Sequence, residues 1–163
     1  MVLLAAVAIG VALVPMLLAY LQLGYHPDVA GPGPDHTRST ERTLERSLVN
    51  ASEGVPSSHA WSDRSAGVTA VHERMNATLR SLNRSALGRG MALQVSFNDT
   101  LATRWANASC PGGRGREFGA CEADRGVVVQ ERVGRTHVVA AGFEVRVVTR
   151  AGETRARTVV ERR

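Results

Sequence analysis

Lysine is absent from this 163-residue chain: all 20 of its Lys-plus-Arg positions are arginine. Such uniformity reflects a GC-rich coding bias more than a chemical need. Aromatic residues are scarce, at 4% (two Trp, two Tyr and three Phe). That scarcity excludes the stacking surfaces on which single-stranded nucleic acid is read, so no nucleic-acid partner is expected. The motifs of common enzymes are missing as well: there is no Walker loop, no G-x-S-x-G elbow, no H-E-x-x-H and no Cys-x-x-Cys. Gly113-Arg114-Gly115-Arg116 lacks the strand-to-helix context of a dinucleotide fingerprint. His72 and His137 have no recognisable nucleophile near them in sequence and read as structural. The expectation is a chain that is not an enzyme, with no catalytic residue, metal or cofactor assigned.

A different absence marks the first 25 residues, which contain no charged side chain. Met1–Leu23 reads MVLLAAVAIGVALVPMLLAYLQL, interrupted only by Gly10, Pro15 and Gln22. As a helix it would span roughly 35 Å, against a bilayer hydrocarbon core of about 30 Å. Tyr20 and Tyr25 fall near its outer end, where amphipathic rings favour the membrane interface. Residues 1–25 are therefore read as a transmembrane anchor in the lipid bilayer. A cleavable signal fits less well. The run exceeds the usual apolar stretch, no basic leader precedes it, and cuts after Ala19 or Ala30 would place Leu17 or Asp28 at the third position back.

What is present beyond Tyr25 indicates the compartment. All five asparagines, Asn50, Asn76, Asn83, Asn98 and Asn107, begin an Asn-X-Ser/Thr triplet. With Ser and Thr at about one residue in seven, chance alone gives odds on the order of 1 in 20,000 for five such acceptor motifs. The alternative is a Ser/Thr-rich composition that mimics acceptor sites. The glycosylation reading places the chain after residue 25 outside the cell and its N-terminus inside, as a single-pass membrane protein. Cys110 and Cys121 agree: an even pair flanking a glycine-rich loop in an oxidising exterior reads as one disulfide, worth about 3 kcal/mol in the chain-entropy model. Metal binding would need two further ligands, and no histidine has ligand spacing to the pair.

The exterior part starts with a Pro/Gly-rich linker over residues 26–36, and a folded α+β domain is expected over residues 37–163. A short helix is predicted from Thr37 to Val49, with Leu44 and Leu48 one turn apart. The clearest helix runs from Asp63 to Leu87: Val68, Val71, Met75, Leu79, Leu82 and Ala86 recur every three or four residues, and Gly88 supplies the stop. Asn76 and Asn83 border that stripe and are expected to be less open to modification than Asn50, Asn98 and Asn107. From Met91 the period becomes two, with Leu93, Val95 and Phe97 inward. A short helical turn over Asp99–Asn107 precedes the disulfide loop. An antiparallel β-meander follows, with turns at Gly134-Arg135 and Ala151-Gly152, and the amphipathic helix packs on one of its faces. Residues 101–163 carry 12 Arg against seven acids. Arg146, Arg155 and Arg157 would point outward from the sheet, as an anion-binding face or as a merely solvated one.

The N-terminal run VALVPMLLAYLQLGYH, together with CPGGRGREFGAC and the following GVVVQERVGRTHVVA, resembles an uncharacterised family of haloarchaeal membrane-anchored proteins, pilin-like in layout. The resemblance covers the two ends of the chain. It implies a hydrophobic helix holding a small exterior β-rich head, and a structural or assembly role in an archaeal surface apparatus. Other envelope or pilus-like subunits would be its partners. The alternative from the residues alone is an anchored binding module for an anionic ligand or surface polymer.

Overall fold

A computed structural model describes residues 34–113, 115–150 and 152–162 of the protein. The expected anchor over 1–25 and the linker up to residue 33 lie outside the described residues. The described residues all belong to one compact unit. Among the described residues no helix is long and apolar enough to cross a membrane.

Helix α1 spans Pro34–Ser52, three residues ahead of its predicted start. Proline suits a first helical turn, where its missing N–H has no intrahelical partner to lose. Leu44 and Leu48 are fully buried and Ala51 nearly so, one stripe at spacings of four and three. Gly54, at φ +77°, reverses the chain into the four-residue helix α2 (Val55–Ser58). A 3₁₀ turn over Trp61–Asp63 then leads into α3 (Arg64–Leu87). The predicted α3 stripe holds: Val68, Val71, Met75 and Ala86 are buried, and Leu79 and Leu82 pack half-buried beside them. Arg74 of α3 donates from Nη1 to the Ala51 and Glu53 carbonyls at 2.9 and 2.8 Å. It thereby satisfies acceptors that the end of α1 leaves open. The stop after α3 differs in detail from the expected one. Gly88 keeps right-handed dihedrals, and the left-handed residue is Gly90 at φ +74°.

Five strands form one antiparallel sheet: β1 (Ala92–Phe97), β2 (Phe118–Asp124), β3 (Val127–Arg132), β4 (Arg135–Thr149) and β5 (Gly152–Glu161). Strands β2 to β5 make the expected meander, while β1 pairs antiparallel with the second half of β4. Since β5 occupies the other edge of β4 over residues 140–149, β1 and β3 lie end to end along the same edge. They meet at Gly142, whose N–H donates to the Gly126 carbonyl and whose carbonyl accepts from Asn98 N. A Cβ there would sit 2.6 Å from the Asn98 oxygen and 2.9 Å from the Ala102 nitrogen. Glycine is what lets the backbones approach.

The main core lies between the sheet and the α1–α3 pair, with Val127, Val129, Val138, Ala141, Phe143, Val145 and Val160 facing the helices. The opposite sheet face is not simply open. Helix α4 (Asp99–Ser109), longer than the turn expected there, packs Ala102 and Ala106 onto Val128, Val139 and Ala140. An extra residue in β4 at the Val128/Val129 register shift turns Val139 and Ala140 both toward α4. The head is thus α+β with helices on both sheet faces.

Both hairpins flanking β3 are tight turns with two positive-φ residues, Arg125-Gly126 (51°, 84°) and Val133-Gly134 (53°, 69°). The second turn sits one residue before the predicted Gly134-Arg135. Val133 is 88% exposed there, a β-branched residue in a conformation that suits Asn or Gly. Val133→Asn is expected to stabilise the head by about 1 kcal/mol, a rise of roughly 3 °C in Tm on thermal denaturation.

Candidate functional site

The three arginines expected to share an outward face do share one. Register sets Arg146 of β4 opposite Arg155 of β5, Glu144 opposite Arg157, and Gln94 of β1 opposite Arg146. Like charges directly opposite each other repel, and Glu153 relieves them. One of its oxygens accepts from Arg146 Nη2 at 2.6 Å and the other from Arg155 Nε at 2.6 Å. Arg157 Nε reaches Glu144 at 3.4 Å. The hydrogen bonds from Arg146 and Arg155 hold the Glu153 carboxyl down to about 2, and the same contact raises Arg146. This face is an interlocked set of three arginines and two glutamates rather than a free cationic row. Exposed pairs of this kind contribute little stability each.

The sign of their pH dependence is fixed. Glu153 binds its proton more weakly folded than unfolded, so its contribution is complete above about 4.5 and is lost as pH falls toward about 2. Glu153→Gln is expected to flatten the decline of Tm between pH 5 and pH 3 relative to the wild type.

A second arginine cluster lies at the disulfide end of the sheet, which the sequence did not single out. Cys110, at the end of α4, is bonded to Cys121 of β2 with Cα atoms 5.7 Å apart. The enclosed loop is fastened from beneath by Gln130 of β3, which is fully buried. Its Nε2 donates to the Pro111 and Gly119 carbonyls at 2.7 and 2.9 Å, and its Oε1 accepts from Arg132 Nε at 3.0 Å. The Arg132 guanidinium lies 4.1 Å above the Phe118 ring centroid, with that of Arg116 5.8 Å from the same ring. His137 pairs with Gln130 across the β3–β4 ladder. Burial, then the charges of Arg132 and Arg162, push the His137 pKa down.

The family described as of unknown function under the label DUF7261 matches residues 1–161. The chain belongs to that family. No curated protein and no solved structure matches it. The DUF7261 match takes in both the uncharged N-terminal run and the head.

On the head of this DUF7261 chain the five acceptor asparagines differ in access, and not in the expected order. Asn76 and Asn83 on α3 are exposed, as are Asn50 on α1 and Asn107 on α4. Asn98 is half-buried, because its Oδ1 caps α4 by accepting from Leu101 N at 2.9 Å. At Asn50 the hydroxyl two residues on belongs to Ser52, which is 1% exposed and donates to the Val49 carbonyl. Asn83 and Asn107 combine an exposed asparagine with an exposed serine.

His72 packs its ring against Phe97, with centroids 3.9 Å apart, and its Nε2 lies 3.0 Å from the Arg125 carbonyl. Burial holds its pKa down. Among the described residues no group of three or more His, Cys, Asp and Glu side chains is placed to hold a metal ion.

Proposed function

We propose that this chain is a non-enzymatic, single-pass envelope protein: residues 1–25 anchor it in the cell membrane, and the α+β head stands outside as a pilin-like structural or assembly component. The observation that carries the reading is the joining of a fully uncharged N-terminal run to a head in which every asparagine begins an acceptor triplet. The Cys110–Cys121 disulfide fits an oxidising exterior. The layout of a hydrophobic segment followed by a long helix docked on an antiparallel sheet supports a pilin-like role in a haloarchaeal surface apparatus. Other envelope subunits are its expected partners.

Mass spectrometry of sheared surface filaments and washed membranes from the same cells tests this reading. Recovery in filaments, with glycan on Asn83 and Asn107, is the expected result. Recovery in neither filaments nor membranes, with unmodified asparagines, would overturn it. Recovery in membranes alone would retain the anchor and favour a second reading, an anchored module that binds an anionic ligand or surface polymer. Two separate arginine clusters on one small head are the observation in its favour.

A further inference from the structure

The two clusters differ in one respect that decides between them. Arg146, Arg155 and Arg157 are each paired with Glu144 or Glu153. By contrast, among the described residues no ion pair joins Arg116, Arg132 or Arg162 to an acid.

Arg132 is also held in place before any ligand arrives. Its Nε is bonded to Gln130, which is itself fixed by two loop carbonyls, and its Cζ lies over the Phe118 ring. A guanidinium held at Nε and against an aromatic ring keeps its terminal nitrogens for a planar or tetrahedral oxyanion, with little rotamer freedom left to lose on binding. Arg116, over the same Phe118 ring, is exposed, as is Arg162, whose backbone N–H donates to the Val139 carbonyl of β4. We infer that the disulfide-loop end of the sheet is an oxyanion site, centred on Arg132 with Arg116 over the same Phe118 ring and Arg162 adding positive charge, that takes a sulfate or phosphate group. Burial and the charges of Arg162 and Arg116 already pull the Arg132 pKa down, an electrostatic cost that a bound dianion relieves.

This site deepens the anion-binding reading and relocates it, away from the arginines of the outward face. The His137 imidazole, on the same ladder and under the charges of Arg132 and Arg162, serves as its reporter. The experiment is an NMR titration of the His137 ring signals in the full chain in detergent micelles. Sodium sulfate and sodium phosphate are added at constant ionic strength made up with sodium chloride.

The expected result is a saturable shift with sulfate or phosphate that chloride does not reproduce. Arg132→Gln should weaken it at least about tenfold, as loss of a charge-assisted contact requires. The double variant R116Q/R162Q, altered only at exposed positions, should weaken it several-fold with Tm unchanged, which keeps the test sound if R132Q folds poorly. Preference for sulfate or for phosphate identifies the class of group held. Binding that survives R132Q and R116Q/R162Q but is lost in Arg155→Gln would overturn this site and leave the anion-binding reading standing on the other face. An absence of any saturable response would overturn both.

Discussion

Phe143→Ala is expected to remove about 3–5 kcal/mol of stability, and to lower Tm by roughly 10 °C for a head of this size. Phe143 is the largest fully buried side chain of the head. It comes from the central strand β4 at the position paired with Phe97 of β1. Its ring centroid lies 4.9 Å from that of Phe97, which in turn carries His72 of α3 at 3.9 Å. Truncation therefore opens a void beneath three elements at once, in an interior that is close-packed and relaxes only partly around a lost side chain. A local signal should accompany the loss. Burial holds the His72 pKa below 6.5, so the unfolded state binds more protons and native stability rises with pH up to about that value. Water admitted beside Phe97 should move the His72 pKa back up and shrink that dependence. Chemical denaturation with NMR titration of His72 checks both. A loss below about 1 kcal/mol would show that α1, α3 and the sheet hold together without this contact.

Periodicity announced the elements that bury large side chains. The α3 stripe from Val68 to Ala86 and the alternation of Leu93, Val95 and Phe97 needed nothing beyond spacing, because each has a single apolar face to hide. Helix α4 was only half legible. Its buried residues are Ala102 and Ala106, small side chains that barely register as a hydrophobic face but let the helix come close to Val128 and Ala140. The bulge that turns Val139 and Ala140 to the same side has no sequence signature either. Spacing alone therefore accounts for the helix on one sheet face and leaves α4 on the other as no more than a short turn.

The arginine clusters show a different limit. Alternation correctly placed Arg146, Arg155 and Arg157 on one outward face, yet charge counting could not see that strand register would bring Glu153 between two of them. The Arg132 cluster was missed for the converse reason. Arg116 comes from the disulfide loop and Arg132 from β3, and what unites them is the position of Phe118, with Gln130 holding Arg132. A glutamine among valines in β3 was the one available signal: a polar residue on a strand buried from both sides has to find partners.

Removing the disulfide should test stability and this organisation together. Cys110→Ser with Cys121→Ser opens a loop with a sequence separation of 11, for which chain entropy gives a loss of about 3 kcal/mol. The consequences reach past entropy. Gln130 is fully buried and depends on the Pro111 and Gly119 carbonyls inside that loop. If the loop drifts, a buried amide loses two acceptors, and Arg132 loses the anchor that fixes its Nε. The variant should therefore bind sulfate more weakly than wild type even though every arginine is retained. Dithiothreitol should lower both Tm and sulfate affinity of the wild type toward those of the variant, while leaving the variant unchanged. Equal sulfate affinity with and without the disulfide would mean that Phe118 alone orients Arg132. The stacked ring, rather than the Gln130 clamp, would then be the feature on which the site depends.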